Sequence, residues 1–267
     1  MRSYSVEAIV LRLRALGEAD RIVTLFSRER GKQSAVARGA RKIQNKFGAR
    51  LDFFSRVSLI LHAGKSLEVI TSVQTVASIW EELVDPDTFA AASYVAETVD
   101  TLCEPDLAVP EVYDAMCDFQ AALPKHVDRD ELLAAMDLRL LDALGFAPEL
   151  EACARCGAIL GKRPLKAGRA QLSPPAGGLV CAACVGALRA EAGMGADTAL
   201  LRVSSREFER LRELRQLPFE LLGPSPGKGH LHRITQAFVE YQMGRRSRAM
   251  AVKGAGSRMK RAAAQRR

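Results

Sequence analysis

Four cysteines form the pattern with the clearest chemistry in this sequence. They occur as two C-x-x-C pairs separated by 24 residues: Cys153 with Cys156, then Cys181 with Cys184. Four thiolates from two such pairs are the usual ligand set of a structural zinc ion with tetrahedral coordination. The separation exceeds the commonest spacing of about 15–20 residues, but its Gly and Pro content lets it loop out at a modest entropic cost. We therefore predict one structural zinc ion per chain, held by these four residues.

Two alternatives remain open for these thiols. A redox C-x-x-C pair normally follows a strand within a βαβ unit, which the surrounding sequence does not indicate. Free thiols are the second alternative. A catalytic zinc is disfavoured, because four sulfur ligands leave no coordination position for water. The other two cysteines, Cys103 and Cys117, lie among apolar residues with helical spacing and are predicted to belong to a core.

No catalytic constellation accompanies the cysteines. The histidines provide neither the His-x-Glu pattern of zinc deaminases nor the H-E-x-x-H pattern of zinc peptidases. The segment AGKS at 63–66 resembles the end of a phosphate-binding loop, but Leu59 stands where that motif needs a glycine. Each histidine is predicted to be a surface or capping residue: His62, His126, His230 and His232. We therefore predict that the protein is not an enzyme.

The second informative pattern is a basic stretch, VARGARKIQNKFGAR, at residues 36–50. Five of its fifteen residues are basic and none is acidic. Charge runs are most often solvated surface, but the glycines and the local absence of acid also suit the approach of a polyanion. Because aromatic residues for base stacking are few, contact should be made through phosphates and should ignore base sequence. The predicted nucleic-acid contacts are Arg12, Arg14, Lys32, Arg38, Arg41, Lys42, Lys46 and Arg50.

Charge is strongly separated along the chain. Residues 1–80 hold 14 basic and 6 acidic side chains, and residues 151–267 hold 22 and 8. Between them, residues 81–150 hold 3 basic and 17 acidic side chains, so the net charge of +8 conceals a strongly acidic middle. Such separation indicates different partners for different parts of the chain, with the basic ends as candidates for binding a polyanion. For the acidic middle, a protein partner or packing against a basic part is the better expectation.

Five short strand patterns precede any helical pattern. They fill the first 76 residues, in EAIVLRLR, IVTLF, QSAVAR, VSLIL and LEVITSV. In the first of them Ile9, Leu11 and Leu13 alternate with Val10 and the two arginines, as expected of a half-buried strand. The short connections leave no room for crossover helices. We therefore predict a five-stranded antiparallel barrel of the oligonucleotide-binding type, the OB-fold.

Beyond Trp80 the apolar spacing becomes helical, with Asp87 as a candidate N-cap. The predicted fold class is thus α+β: an N-terminal five-stranded OB-fold barrel followed by an all-α domain that carries a four-cysteine zinc module. The predicted domains are the OB-fold at 1–80, the first part of the helical domain at 81–150, the zinc-binding insert at 151–190, the last part of the helical domain at 191–244, and a basic tail at 245–267. The tail is predicted to be disordered, because it combines nine basic residues with little apolar bulk.

Three stretches together resemble the RecO family of bacterial recombination mediators. They are G-E-x-D-R-I-V-T-L-F-S at 17–27, G-A-R-K at 39–42, and L-G-F-x-P-x-L-x-x-C-x-x-C-G at 144–157. The resemblance spans nearly the whole chain in the same order. It implies an OB-fold barrel, a helical domain and, in many members, a zinc module. By position, Arg38, Arg41 and Lys42 match the basic segment that the family associates with DNA, and the four cysteines match its zinc ligands. Some relatives lack these cysteines, so the metal is implied to be a scaffold feature.

The resemblance also implies a function. Members bind single- and double-stranded DNA, anneal complementary strands and, with the partner RecR, help to load RecA onto strands coated by single-strand-binding protein. The alternative that the residues leave open is a zinc-stabilised basic module that binds RNA or the ribosome. No apolar run approaches the roughly 18 residues needed to span a bilayer, and the N-terminus has no signal-peptide core. We therefore expect no membrane partner and a cytoplasmic, nucleoid-associated location.

Overall fold

The computed structural model describes residues 3–42, 50–64, 66–126, 129–159, 169–192, 199–222 and 230–249. The chain forms two compact units, one of Met1–Arg129 with Arg246–Arg267 and one of Asp130–Arg245. Within the described ranges, no helix is long and apolar enough to cross a membrane. The predicted class, an OB-fold barrel followed by a helical part with clustered cysteines, is confirmed. The predicted domain limits stay predictions.

The first unit begins with a closed five-stranded barrel in the order β1-β2-β3-β5-β4. The pairing of β1 with β4 closes the ring, and only β3 and β5 run parallel. Small and branched apolar residues alternate along the strands and fill the interior, among them Ala8, Val23 and Leu59. The strands are β1 (Ser3–Leu16), β2 (Asp20–Ser27), β3 (Gly31–Ala37), β4 (Arg56–His62) and β5 (Glu68–Ala77).

A β-bulge in β1 breaks the alternation that the sequence predicts. Val10 lies in the barrel core, so an uninterrupted strand would direct Arg12 inward as well. The register against β2 shifts between Val10 and Arg12, and Leu13 packs against the core instead. The predicted simple alternation through this strand is therefore wrong. The bulge re-aims the side chains that follow it, and Arg12 is exposed.

Two helices of the first unit are α1 (Pro86–Leu102) and α2 (Pro110–Ala122). Asp85 is the N-cap of α1, and its side chain accepts the backbone N–H of Thr88 at 2.9 Å. The predicted cap, Asp87, lies in the first turn instead. Pro86 takes the first helical position, where its missing N–H costs nothing. Helix α2 is tied to the barrel side by hydrogen bonds from its polar side chains, such as Tyr113 Oη to Glu7 Oε1 at 2.9 Å.

Within the C-terminal basic segment, Arg246–Arg267 belongs to the first unit. Glu97, on α1, accepts hydrogen bonds from Ser247 Oγ at 2.8 Å and from the backbone N–H groups of Arg248 and Ala249 at 3.0 Å each. One carboxylate thus holds three successive residues. The predicted disorder of the tail falls, from residue 250 onward, outside the described residues.

The second unit combines helices with a small antiparallel sheet in the order β7-β6-β8. This sheet is an addition to the helices that the sequence predicts. Its middle strand, β6, pairs with β7 across a short turn and with β8 from further along the chain. The elements are α3 (Arg129–Ala143), β6 (Arg169–Ser173), β7 (Gly178–Leu179), α4 (Ala182–Ala192), β8 (Leu201–Ser204), α5 (Ser205–Leu214) and α6 (Leu231–Met243).

The acidic side chains of α3 have partners within the second unit. Glu131 is 1% exposed and forms a two-pronged pair with Arg210, at 3.1 and 2.7 Å. Asp142 accepts from Arg215 at 2.7 Å. Further contacts join Asp130 Oδ2 to the backbone N–H of Leu231, and Asp137 Oδ2 to Thr235 Oγ1. The acidic helix therefore packs against the basic C-terminal helices, which is one of the two expectations for the acidic middle.

His232 is buried, contrary to the prediction of a surface or capping residue. It is 5% exposed, and its Nε2 lies 3.5 Å from Oδ2 of Asp137. The carboxylate belongs to α3, almost a hundred residues earlier in the chain. The amphipathic face of α6 that packs inward includes this histidine, together with Ile234 and Phe238. A histidine flanked by glycine-rich sequence gave no local sign of this burial.

Candidate metal centre and nucleic-acid interface

Each pair of cysteines is presented by a tight local structure. After Cys153 the chain turns back on itself: Gly157 N–H donates to Cys153 O, and Cys153 N–H donates to Ala158 O, both at 2.8 Å. Gly157 has φ +71°, a conformation that glycine adopts without strain. The second pair sits at the start of α4, where Val185 N–H donates to Cys181 O at 2.9 Å. A helix N-terminus carries partial positive charge and therefore favours thiolates.

Gly178 permits the two presenting structures to meet. A Cβ atom at this position would lie 2.4 Å from Glu149 O, a distance that side chains do not tolerate. Close backbone approach lets Leu179 N–H donate to Glu149 O, and Ala154 N–H donate to Leu179 O, both at 2.8 Å. These bonds place the strand before Cys181 directly beside the first cysteine turn.

The four sulfur atoms converge. All four Sγ atoms of Cys153, Cys156, Cys181 and Cys184 lie within 4.8 Å of one another, and Cys156 Sγ lies 3.8 Å from Cys181 Sγ. A tetrahedral zinc ion with Zn–S bonds of about 2.3 Å holds its sulfurs about 3.8 Å apart. A disulfide would need about 2.05 Å. The separation therefore fits four ligands around one cation better than a disulfide pair.

Hydrogen bonds within the cluster shift the pKa values of two of its thiols in opposite directions. Burial raises the pKa of Cys153, but N–H donors from Cys181, Cys156 and Arg155 outweigh burial and lower this pKa to about 6. Hydrogen bonding with Cys181 raises the pKa of Cys184 to about 12. Protons are thus shared unevenly within one cluster. A soft divalent cation would replace these protons and be bound by four thiolates.

The basic stretch starts with a loop, residues 38–42, that is fastened to the turn between β1 and β2. Asp20 Oδ1 accepts the backbone N–H of Gly39 at 2.7 Å, and Ala19 O accepts the N–H of Arg41 at 2.9 Å. The guanidinium of Arg41 also donates to Gly17 O at 2.7 Å. The G-E-x-D-R and G-A-R-K segments are therefore two halves of one local structure. The basic side chains of this loop are exposed: Arg38, Arg41 and Lys42.

Two other predicted contacts, Arg12 and Lys32, lie in an ionic cluster with Asp100. Arg12 Nη2 is 2.9 Å from Asp100 Oδ2, and Lys32 Nζ donates to Asp100 O at 2.6 Å. A cavity of about 500 Å³ adjoins the cluster, and Glu68 and Asp106 also line it. Three carboxylates against two cations make this cavity a poor place for a phosphate. DNA contact by Arg12 and Lys32 stays a prediction.

The remaining predicted contacts are placed unequally. Arg14 is exposed on β1, two residues beyond Arg12. Arg50 is exposed, and its Nη1 donates to Val73 O at 3.3 Å. Lys46 lies outside the described residues. The structure therefore groups Arg38, Arg41 and Lys42 in one loop, and it brings Arg12 and Lys32 together at Asp100.

Two acidic residues matter to this interface that sequence reasoning missed. Asp20 lies in the G-E-x-D-R segment, so a role in the turn could have been inferred from the sequence around it. No local sequence pattern could have indicated the role of Asp100, because it pairs with a residue 88 positions earlier in the chain. Such partners become visible only when the helix packs against the barrel.

These features define a class of protein: an OB-fold protein with an exposed basic loop and a four-cysteine site suited to a metal ion. Family comparison agrees with that class. The sequence model described as "Recombination protein O N terminal" matches residues 1–79, and "Recombination protein O C terminal" matches residues 83–251. The chain belongs to the RecO family.

Curated relatives match over most of their length. The DNA repair protein RecO of Roseiflexus sp. (strain RS-1) is 32% identical over 254 residues, which is 94% of this chain and 84% of the relative. The protein of the same name from Symbiobacterium thermophilum is 36% identical over 221 residues, 80% of this chain and 85% of that one. The one from Anaeromyxobacter sp. (strain K) is 33% identical over 250 residues, 92% and 94% of the two chains.

Proposed function

We propose that this protein is a non-enzymatic DNA-binding mediator of recombinational repair that anneals complementary single strands. Membership in the RecO family supports a role in DNA repair and recombination. The observation that carries the more specific proposal is the exposed loop of Arg38, Arg41 and Lys42, fastened to an OB-fold barrel by Asp20 and Gly17. OB-folds present strands and loops along which a nucleic-acid backbone can run.

Annealing requires charge neutralisation and no covalent chemistry. Its barrier is the mutual repulsion of two polyanions, together with the search for the correct register. Cations that neutralise phosphates on a strand lower this repulsion and raise the local concentration of strands. The proposal therefore assigns the protein no nucleophile or general base. The proposed phosphate contacts are those predicted from the sequence, with the loop cations foremost: Arg12, Arg14, Lys32, Arg38, Arg41, Lys42, Lys46 and Arg50.

A second strand needs a second set of cations, and the C-terminal segment is the candidate. Residues 245–267 hold nine basic residues and no acidic residue. Glu97 holds the start of this segment, at Ser247 to Ala249, on the same unit as the barrel. By contrast, two arginines of α5 form ion pairs within the second unit: Arg210 with Glu131, and Arg212 with Glu151. The tail is therefore the better source of cations for a second strand.

The proposed cofactor is one structural zinc ion per chain, bound by Cys153, Cys156, Cys181 and Cys184. The convergence of the four sulfurs supports this ligand set, and a closed shell of four thiolates would supply only cross-linking. This cross-link would join the first cysteine turn to the start of α4 and stabilise the second unit. No step of annealing depends on the metal.

The proposed partners follow from family membership. They are single- and double-stranded DNA, RecR, single-strand-binding protein and, indirectly, RecA, with which the protein would help to load the recombinase onto coated strands. The proposed location is the cytoplasm, in association with the nucleoid. No membrane partner is proposed.

A strand-annealing assay with a charge-reversal variant tests the proposal. Two complementary labelled oligonucleotides coated by single-strand-binding protein should anneal faster with the protein than without it. Replacing Arg38, Arg41 and Lys42 together by Glu should weaken DNA binding and flatten the plot of log K against log salt by about two to three units, at 0.7–0.9 per lost phosphate contact. The far-UV circular dichroism should not change.

A matched variant controls for net charge. Arg189, Arg202 and Arg206 are exposed residues of the second unit, and their replacement by Glu changes the charge by the same amount. This control should retain more of the DNA affinity than the loop variant. Equal losses in the two variants would remove the loop from the mechanism. Tighter binding to RNA than to DNA, with no annealing, would favour the RNA- or ribosome-binding alternative.

A further inference from the structure

Asp20 is an acidic residue in the middle of the basic interface. Its carboxylate accepts the N–H of Gly39 at 2.7 Å, a short bond strengthened by the negative charge. Gly39 directly follows Arg38 and lies two residues before Arg41. By charge alone this carboxylate should oppose DNA binding, because it partly cancels the field of the neighbouring cations. Removal of an acid at such a position should therefore tighten binding.

The geometry argues for the opposite effect. Gly39 has φ +65°, which is the left-handed region, and the next residues turn back so that Lys42 N–H donates to Gly39 O at 2.9 Å. Ordering a loop costs backbone conformational entropy at every residue that becomes fixed. A loop that orders only on binding subtracts this cost from its affinity for DNA. Asp20 holds the turn before DNA arrives.

We propose that Asp20 is a positioning residue for DNA: by holding the Gly39 N–H it pre-organises the loop of residues 38–42, so that losing this bond weakens DNA binding even though the protein becomes more positive. The inference rests on the proposed function, since it concerns how the same loop meets phosphates. It assigns to an acid a favourable contribution to binding a polyanion. The sign of the effect separates positioning from simple electrostatics.

Two substitutions of Asp20 separate the hydrogen bond from the charge. Asp20→Asn removes the charge but keeps an oxygen that can accept the Gly39 N–H, whereas Asp20→Ala removes both. The measurement is fluorescence anisotropy of a labelled single-stranded oligonucleotide over a series of salt concentrations. The Asn variant should bind as tightly as the natural protein or more tightly. The Ala variant should bind about threefold to tenfold more weakly than the Asn variant, the range expected for one net hydrogen bond.

Glu18 provides a matched control for charge. It is exposed in the same turn between β1 and β2, so Glu18→Ala removes an equal charge from nearly the same place. This variant should bind DNA as tightly as the natural protein or more tightly. The slope of log K against log salt should be shallower for Asp20→Ala than for either other variant, because a disordered loop neutralises fewer phosphates. A residue that served stability alone would not move this slope.

Gly39→Ala tests the same inference without any change of charge, and it covers the case in which Asp20→Ala fails to fold. Alanine is strained at φ +65°, so the turn should be disturbed while all cations remain. DNA binding should weaken, with unchanged circular dichroism. The inference would be overturned if Asp20→Ala and Asp20→Asn bound DNA with equal affinity, or if Asp20→Ala bound DNA more tightly than the natural protein. Unchanged DNA binding by Gly39→Ala would overturn it as well. If the natural protein ignored DNA altogether, the proposed function itself would fail.

Discussion

Arg12 Nη2 lies 2.9 Å from Asp100 Oδ2, so an arginine that the sequence assigns to DNA is paired with a carboxylate of α1. The pair is partly exposed, with 46% of the Arg12 side chain and 19% of the Asp100 side chain accessible to solvent. Lys32 completes the cluster, with its Nζ 3.8 Å from Asp100 Oδ1. The bulge in β1 produces this arrangement, because it turns Arg12 out of the barrel.

Arg12→Gln and Arg14→Gln should therefore differ although the two residues share a strand. The Arg12 variant should lose up to about 1 kcal/mol of stability, the range for partly exposed ion pairs. It should lose less DNA affinity than the Arg14 variant, because Asp100 competes with phosphate for the Arg12 guanidinium. The Arg14 variant should show the larger loss of DNA affinity, with a smaller change in stability. Urea unfolding and oligonucleotide anisotropy measure the two effects. A larger affinity loss for Arg12→Gln would show that DNA displaces Asp100 from this arginine.

The four-cysteine site should contain metal when the protein is purified. Elemental analysis should return about one zinc ion per chain. Cys153→Ser should abolish the bound metal and lower the thermal midpoint, because Cys153 is buried and the proposed metal would join two segments of the second unit. Cys117→Ser, which lies outside the cluster, should keep its metal. A folded natural protein without metal would refute the four-thiolate site.

The buried pair of Glu131 with Arg210 should be costly to break. Glu131→Gln removes the buried carboxylate that pairs with Arg210, whose own side chain is 25% exposed. Breaking a fully buried pair costs about 3–5 kcal/mol. The remaining contact of Arg210 with Glu213, at 2.8 Å, should bring the loss toward the lower end of that range. Urea unfolding provides the measurement.

A second pair on the same helix is the control for that experiment. Arg212 contacts Glu151, whose side chain is 63% exposed. Arg212→Met should cost no more than about 1 kcal/mol, since exposed ion pairs contribute little. Similar losses for the two pairs would mean that burial of Glu131 does not set the cost.

The cap of α1 should make stability depend on pH in the acid range. Hydrogen bonds from Thr88 hold the pKa of Asp85 below its usual value. The folded pKa is then lower than the unfolded value of about 3.9, so the stabilisation is present above that value and is lost as pH falls through the folded pKa. Asp85→Ala should cost about 1 kcal/mol at neutral pH, and its difference from the natural protein should shrink in acid.

The Asp87→Ala variant distinguishes the observed N-cap, Asp85, from the predicted N-cap, Asp87. Asp87 lies in the first turn, where the partial positive charge of the helix N-terminus stabilises a carboxylate by about 0.3–1 kcal/mol. Thermal unfolding at several pH values compares the two variants. A larger loss for Asp87→Ala would mean that Asp87 is the true cap.

Local patterns in the sequence were sufficient for several features of this protein. The five strands could be predicted, because the alternation of apolar residues and the turn residues that end each strand both lie within about ten residues along the chain. The four cysteines could be grouped because each C-x-x-C pair is a local motif, and because a structural zinc site needs four ligands and therefore two such pairs. The family motifs added the order of the units.

Other features depended on residues far apart in the chain. The strand pattern of β1 gave no sign of the bulge after Val10, which depends on pairing with β2. His232 and Glu131 are buried because α3, α5 and α6 pack together, and no local signal separates such residues from surface ones. Asp85 rather than Asp87 caps α1, because the helix begins two residues earlier than its apolar spacing suggests.

Short-range patterns therefore predicted the strands of the barrel, the two C-x-x-C pairs and the family, because each of these patterns lies within a few residues along the chain. Closure of the barrel depends on the pairing of β1 with β4, which are far apart in the sequence. Which cations face solvent and which are neutralised was settled by packing. Arg12 meets Asp100, and Gly39 meets Asp20, only after strands, turns and helices come together. Ion pairs and hydrogen bonds depend on the distance between atoms in the folded protein, and the spacing of residues along the sequence does not give that distance.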